Sequence, residues 1–115
     1  MSVKIYHNPR CSKSRQSLAL LTDRGIDPEI IEYLKTPPSV EELKLIIKSL
    51  NTEPLAIMRT NEADYKAARA EIEDMHPNDQ LTWLAAHPRA LQRPIVISPA
   101  GARIGRPPET ILDIV

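Results

Sequence analysis

The chain opens on an alternation. In VKIY, residues 3–6, apolar and polar positions take turns and the residue types favour β-structure, which predicts a strand that Asn-Pro in the following HNPR stops. From Ser12 or Ser14 the spacing changes: SRQSLALLTDRG turns Leu18, Leu21 and Ala19 toward a core at helical intervals, and Gly25 supplies the stop. EIIEYL, residues 29–34, reads as a second strand, completing a strand–helix–strand unit whose strands run parallel with a right-handed crossover. SVEELKLIIKSL then carries the clearest amphipathic stripe, Val40, Leu43, Ile46, Ile47 and Leu50, behind a Ser39 cap with Glu42 in the capping-box position.

The second half is less regular. EPLAIMRTNEADYKAARAEI predicts one helix from an Asn61 cap to about Ile72, with Tyr65, Ala68 and Ile72 inward; NDQLTWLAAH predicts another, ended by Pro88, and EDMHP between them reads as loop. After PRALQRP, the segments IVIS and ARIG joined across PAGA predict an antiparallel hairpin with Gly101 in the turn. PPETILDIV closes the sequence as a short helix that begins at Pro107 and Pro108. The order β-α-β, helices, β-β-α implies an α/β protein with a thioredoxin-like fold: a four-stranded mixed sheet flanked by helices, with a helical insertion between the two halves. At 115 residues, a single domain spanning 1–115 is expected.

Composition narrows what such a domain does. Fifteen basic and fifteen acidic side chains cancel, so the net charge offers no field for nucleic acid or an anionic membrane. No apolar run approaches the ~20 residues of a membrane span, and the first residues contain no apolar leader, so a cytoplasmic protein is expected. With no Phe, the core must be aliphatic. His76 and His87 have no partners at ligand spacing, so neither a metal nor a bound cofactor is expected. Trp83 and Tyr65 read as packing residues, and EIED, residues 71–74, as a solvated acidic rim.

Cys11 is the only cysteine, and it falls where the first strand hands over to the first helix. A helix N-terminus and nearby cations both lower a thiol pKa, and Arg10, Lys13 and Arg15 flank this one. His7, at the end of the strand, can approach across the loop. Such polar, basic surroundings suit a reactive thiolate better than a buried apolar cysteine. The spacing argues against a tyrosine-phosphatase loop, because the position where that loop carries its arginine is Ser17 and Arg15 comes too early. A dithiol site is excluded because the second cysteine position is Ser14, which is instead available to donate a hydrogen bond to the thiolate. Any disulfide must therefore form with a partner thiol. Arg59, Arg93 and Arg106 stand at the ends of predicted elements, and Arg93, at the start of the third strand, can reach toward Cys11. Three guanidinium groups offer bidentate donors to a multiply charged oxyanion. Arg93–Pro94 is a candidate cis peptide.

YHNPRCSKSR, LQRPIV and IGRPPE, in that order and at that spacing, resemble the glutaredoxin-dependent arsenate reductases of the ArsC type, in particular the short bacterial branch. The likeness runs from Val3 to about Leu112. It implies that Cys11 is the nucleophile toward arsenate, that Arg59, Arg93 and Arg106 hold the oxyanion, that His7 helps lower the thiol pKa, and that Pro94 is cis. It also implies glutathione as co-substrate and a glutaredoxin as partner, which explains a site with no second cysteine. A monomer is expected. The sequence departs from the best-known members in having Ser12-Lys13 after the cysteine and in lacking their C-terminal extension. Two other activities suit the same scaffold: a glutathione-linked thiol oxidoreductase acting on another substrate, and an Spx-like adaptor that binds RNA polymerase without turnover.

Overall fold

The computed structural model describes residues 2–115, which fall into two compact units, one formed by the segments ending at Thr36 and resuming at Arg93, the other by Pro37–Gln92. The first unit holds β1 (Lys4–His7), α1 (Ser12–Asp23), β2 (Glu29–Glu32), β3 (Ile95–Ser98), β4 (Gly101–Ile104) and a 3-10 helix, Pro108–Ile114. Its sheet runs β2-β1-β3-β4, with β1 parallel to β2 and antiparallel to β3, and β3 antiparallel to β4. This is the mixed, helix-flanked sheet of a thioredoxin-like fold.

Strand alternation fixes the packing. Ile5 lies opposite Val96 in the sheet register, and these two with Val3, Leu21, Ile111 and Ile114 form a buried cluster that Leu18, Leu20 and Ile26 extend. Each fully buried aliphatic contributes roughly 1.5–3 kcal/mol of transfer free energy. Tyr6 and Ile95, also in register and on the opposite face, are buried as well. The closing 3-10 helix is tied to β3 by Ser98 Oγ, which donates to the Ile114 carbonyl at 2.6 Å.

The second unit holds α2 (Val40–Leu50), a 3-10 turn at Pro54–Ile57, α3 (Ala63–Asp74), α4 (Pro77–Ala86) and a second 3-10 turn at Pro88–Ala90. α2 starts on a complete capping box: the Glu42 amide donates to Ser39 Oγ at 3.2 Å and the Ser39 amide to Glu42 Oε1 at 3.3 Å. α4 packs on α2 and on the first 3-10 turn, and the buried side chains include Leu43, Ile46, Ile57, Ile72, Leu81 and Leu84.

Several expected boundaries move, each for a local reason. β2 stops at Glu32 rather than Leu34, because the Lys35 and Thr36 amides both turn back onto the Glu32 carbonyl. The cap of α3 is Glu62, not Asn61, and the Glu62 carboxylate pairs with Arg59 instead of a helix amide. Glu73 and Asp74 continue α3 where loop was expected, and Gln80 Nε2 donates to the Ile72 carbonyl near its end. In α1, Ala19 is exposed and Leu20 packs on the core in its place. The last element is a 3-10 helix.

Candidate active site

β1 ends at His7, and Asn8–Arg10 form the loop that delivers Cys11 to the N-terminus of α1. Cys11 is itself the cap residue of that helix, with extended backbone (φ −93°, ψ 123°), and its half-buried thiol closes no capping hydrogen bond. The loop is pinned from several directions. The Cys11 amide donates to the Asn8 carbonyl at 3.0 Å, the Arg10 amide to Asn8 Oδ1 at 3.0 Å, and Arg15 Nη1 to the Pro9 carbonyl at 2.9 Å. Arg15 thus acts on the loop backbone, which is a different use from a charge beside the thiol.

Ser14 is fully buried, and its hydroxyl is taken up beneath the loop. Ser14 Oγ lies 2.6 Å from His7 Nδ1 in a hydrogen bond and accepts the Asn8 amide at 3.0 Å. It reaches Cys11 through its backbone amide. His7 is held below its ordinary pKa chiefly by burial, against the attraction of Glu32 and with the repulsion of Arg15. Burial thus favours its neutral form, and the ring supports the loop through Ser14.

Burial is the largest single influence on Cys11 and pushes its thiol up. The Ser14 amide, the Arg93 charge, the Lys13 amide and the Arg106 charge together outweigh it, so the thiol sits below its ordinary value. Arg106 Nη2 approaches Cys11 Sγ at 3.7 Å, while its Nε donates to the Arg93 carbonyl at 2.8 Å, which aims the guanidinium. Arg93 Nε is buried and has no hydrogen-bond partner among the described residues, leaving a charged donor beside the thiol with unmet bonding capacity. The cations that act on Cys11 thus come from the segments flanking the two later strands, Arg93 before β3 and Arg106 after β4, and not from the Lys13 or Arg15 side chains beside it in sequence. The Arg93–Pro94 peptide is cis, in line with the resemblance, and Arg106–Pro107 is cis too.

Close packing brings Arg106 to this position. A Cβ on Gly105 would overlap Ser17 Oγ and lie 2.7 Å from Pro94 Cγ, so only glycine lets the end of β4 approach α1 and Pro94 this closely. The Gly105 amide donates to the Pro94 carbonyl at 2.9 Å. Arg59 belongs to the second unit, where its Nη1 donates to Glu62 Oε2 at 3.1 Å and to the Arg89 carbonyl at 3.4 Å.

Sequence reasoning missed Tyr33, Asn8 and Gly105. Tyr33 is buried, and its phenol is raised first by that burial; the Asn8 side chain hydrogen-bonds to it, and Cys11, Arg93 and Arg106 all act on it electrostatically. The parallel register His7 with Glu32 brings Tyr33 beside Asn8, and that pairing was the available signal. Gly105 was readable only as part of IGRPPE. His76 caps α4, accepting the Asn78 amide on Nδ1 at 3.1 Å, and His87 stacks on Trp83. Among the described residues no group of three or more His, Cys, Asp or Glu side chains is arranged to hold a metal ion, and no helix is long and apolar enough to cross a membrane.

A Haemophilus influenzae protein named arsenate reductase is 45% identical over 99% of both chains. An uncharacterised Escherichia coli protein is 41% identical over 98% of this chain and 96% of its own. The structure of a Vibrio cholerae arsenate reductase superposes with a TM-score of 0.94 at 47% identity, covering 100% of this chain and 98% of that one. Residues 6–114 match the ArsC family, and with relatives this similar over nearly their full length, the chain belongs to the ArsC family.

Proposed function

We propose that the protein reduces arsenate to arsenite with electrons from glutathione and a glutaredoxin. The observation that carries this reading is a thiol held below its ordinary pKa next to a buried Arg93 Nε that has no partner. The amides and guanidinium groups that favour the thiolate are the donors a tetrahedral oxyanion needs, so substrate binding asks for little reorganisation. The Cys11 thiol condenses with arsenate, forming an S–As bond as one oxygen leaves as water. The glutathione thiol displaces a second oxygen, again as water. A glutaredoxin thiolate then attacks the glutathione sulfur; a mixed disulfide forms, and the As–S bonding pair stays on arsenic, reducing As(V) to As(III). Hydrolysis of the remaining S–As bond releases arsenite and restores Cys11.

Arg93 and Arg106 hold the oxyanion, and Arg59 supplies a third guanidinium, an assignment supported by its place in the family pattern. His7, Ser14 and Arg15 position the loop. The protein works as a cytoplasmic monomer that meets glutaredoxin only at the reduction step. The test is steady-state arsenate reduction with glutathione, glutaredoxin and NADPH consumption as readout, comparing the native protein with Cys11→Ser. Cysteine-dependent turnover at sub-millimolar arsenate is expected. A thiol that titrates as described but supports no turnover would move the function to another substrate or to an adaptor role.

A further inference from the structure

The reaction above needs a place for glutathione within one tripeptide's reach of Cys11. A cavity of about 230 Å³ opens beside the Cys11 loop. His7, Asn8, Pro9 and Arg10 form one wall, and Glu32, Leu34 and Lys35, from the end of β2 and the turn after it, form the other. Its volume is below the ~300–1,000 Å³ usual for a whole drug-sized ligand, so it suits one arm of the tripeptide.

The lining has the chemistry of one particular arm. A γ-glutamyl group carries an α-ammonium and an α-carboxylate on a short methylene chain. Glu32 provides an anion, Arg10 and Lys35 provide cations, and Pro9 and Leu34 provide apolar surface, with Leu34 left 45% exposed. Lys35 Nζ and Glu32 Oε1 lie 3.5 Å apart with side chains 79% and 40% exposed, a pair weak enough to exchange partners with a zwitterion. The wall is also mechanically joined to the thiol, since Asn8 accepts both the Cys11 and the Arg10 amides. A second, larger cavity borders the C-terminal half of α2 and the residues just after it, from Lys44 to Glu53, and has no lining residue from the thiol loop.

We propose that the cavity between the Asn8–Arg10 loop and Glu32–Lys35 is the binding site for the γ-glutamyl arm of reduced glutathione. Glu32 receives the α-ammonium and Arg10 with Lys35 the α-carboxylate, leaving the glutathione thiol directed back along the loop toward Cys11. The site thereby selects glutathione over cysteinylglycine, whose ammonium and carboxylate do not share one carbon. The proposal rests on the glutathione-dependent reading of the function.

Two measurements decide it. Amide shifts of the native protein are followed by NMR with S-methylglutathione, which has no free thiol and cannot react, and with S-methylcysteinylglycine, which lacks the γ-glutamyl arm. Saturable shifts at Asn8, Arg10, Leu34 and Lys35 with the first compound and much weaker ones with the second are expected; shifts confined to other residues overturn the site. In steady-state turnover, Glu32→Gln should raise KM for glutathione about fivefold to tenfold with KM for arsenate unchanged. The swap Glu32→Lys with Lys35→Glu should raise it as well, because it restores the ion pair but reverses the charges that meet the ligand. Unchanged KM for glutathione in both variants overturns the site. The NMR arm needs no turnover. Shifts at the four residues without arsenate reduction would keep the site and reject the activity, and turnover with shifts elsewhere would do the reverse.

Discussion

Two helices in this protein begin in opposite ways. α2 starts on Ser39, whose hydroxyl and Glu42 partner satisfy two of the free amides reciprocally. α1 starts on Cys11, which has the same extended backbone but closes no capping bond, and the Lys13 and Ser14 amides act instead to favour a thiolate. A capped start is worth about 1 kcal/mol of stability. α1 forgoes that term, and the amides so released, with two arginines, lower the pKa of a nucleophile. The difference shows stability and chemistry drawing on the same unpaired backbone groups.

The strongest way to break this comparison is to make the two helix starts alike. Cys11→Ser should abolish arsenate turnover, a loss on the order of 10³ or more, and at the same time raise the unfolding free energy by about 1 kcal/mol in thermal or urea melts. A variant both inactive and less stable would contradict the trade. Arg106→Ala comes next, with an expected ~10²–10³ loss in kcat/KM and a thiol titration displaced upward, since it removes the guanidinium 3.7 Å from the sulfur.

Gly105→Ala acts one step further out. Its new Cβ must displace Ser17 or Pro94, so we expect about 1–3 kcal/mol of destabilisation, together with an upward move of the thiol titration as Arg106 is pushed away. Partial rescue by Ser17→Ala, which removes the overlapped oxygen, would separate a steric cause from a general loss of structure. The smallest effect belongs to the other helix. Ser39→Ala should cost about 1 kcal/mol in stability and leave the thiol titration where it was. A shifted thiol in that variant would mean that the two helix starts are not independent.

The parts of this account legible in sequence are those with a local signature. Ser39 and Glu42 announce the α2 cap at a fixed offset, IVIS is a compact β-branched run, and Cys11 between a strand and a helix is visible as a reactive candidate. Arg93 and Arg106 were also found, through motifs whose order and spacing carry the family pattern. What was not legible depends on register or on packing at contact distance. Tyr33 meets the Cys11 loop only because β2 pairs with β1 in the frame that sets Glu32 opposite His7. The buried stripe of α1 begins with Ser14 and Ser17, small polar residues that a hydropathy pattern assigns to solvent. Ser14 has partners there in His7 and Asn8, while Ser17 gives way to a close approach by Gly105. Arg15 looked like a charge for the thiol and proved to be a clamp on Pro9, a distinction that lies in side-chain direction alone.

The central claim is that amides and two distant arginines overcome the burial of a single thiol. Its most direct test is a spectroscopic pH titration of the thiolate in the native protein and in Arg93→Ala and Arg106→Ala, with no substrate present. The signal has one source among thiols, because Cys11 is the only cysteine, and the buried phenols of Tyr33 and Tyr65 are raised above their ordinary range. The account predicts a midpoint below that of an unperturbed thiol in the native protein, with thiolate persisting as the pH falls and lost only through that lowered value, and midpoints that move up in both arginine variants. A native midpoint at or above that of an unperturbed thiol, or one that neither substitution moves, would contradict it.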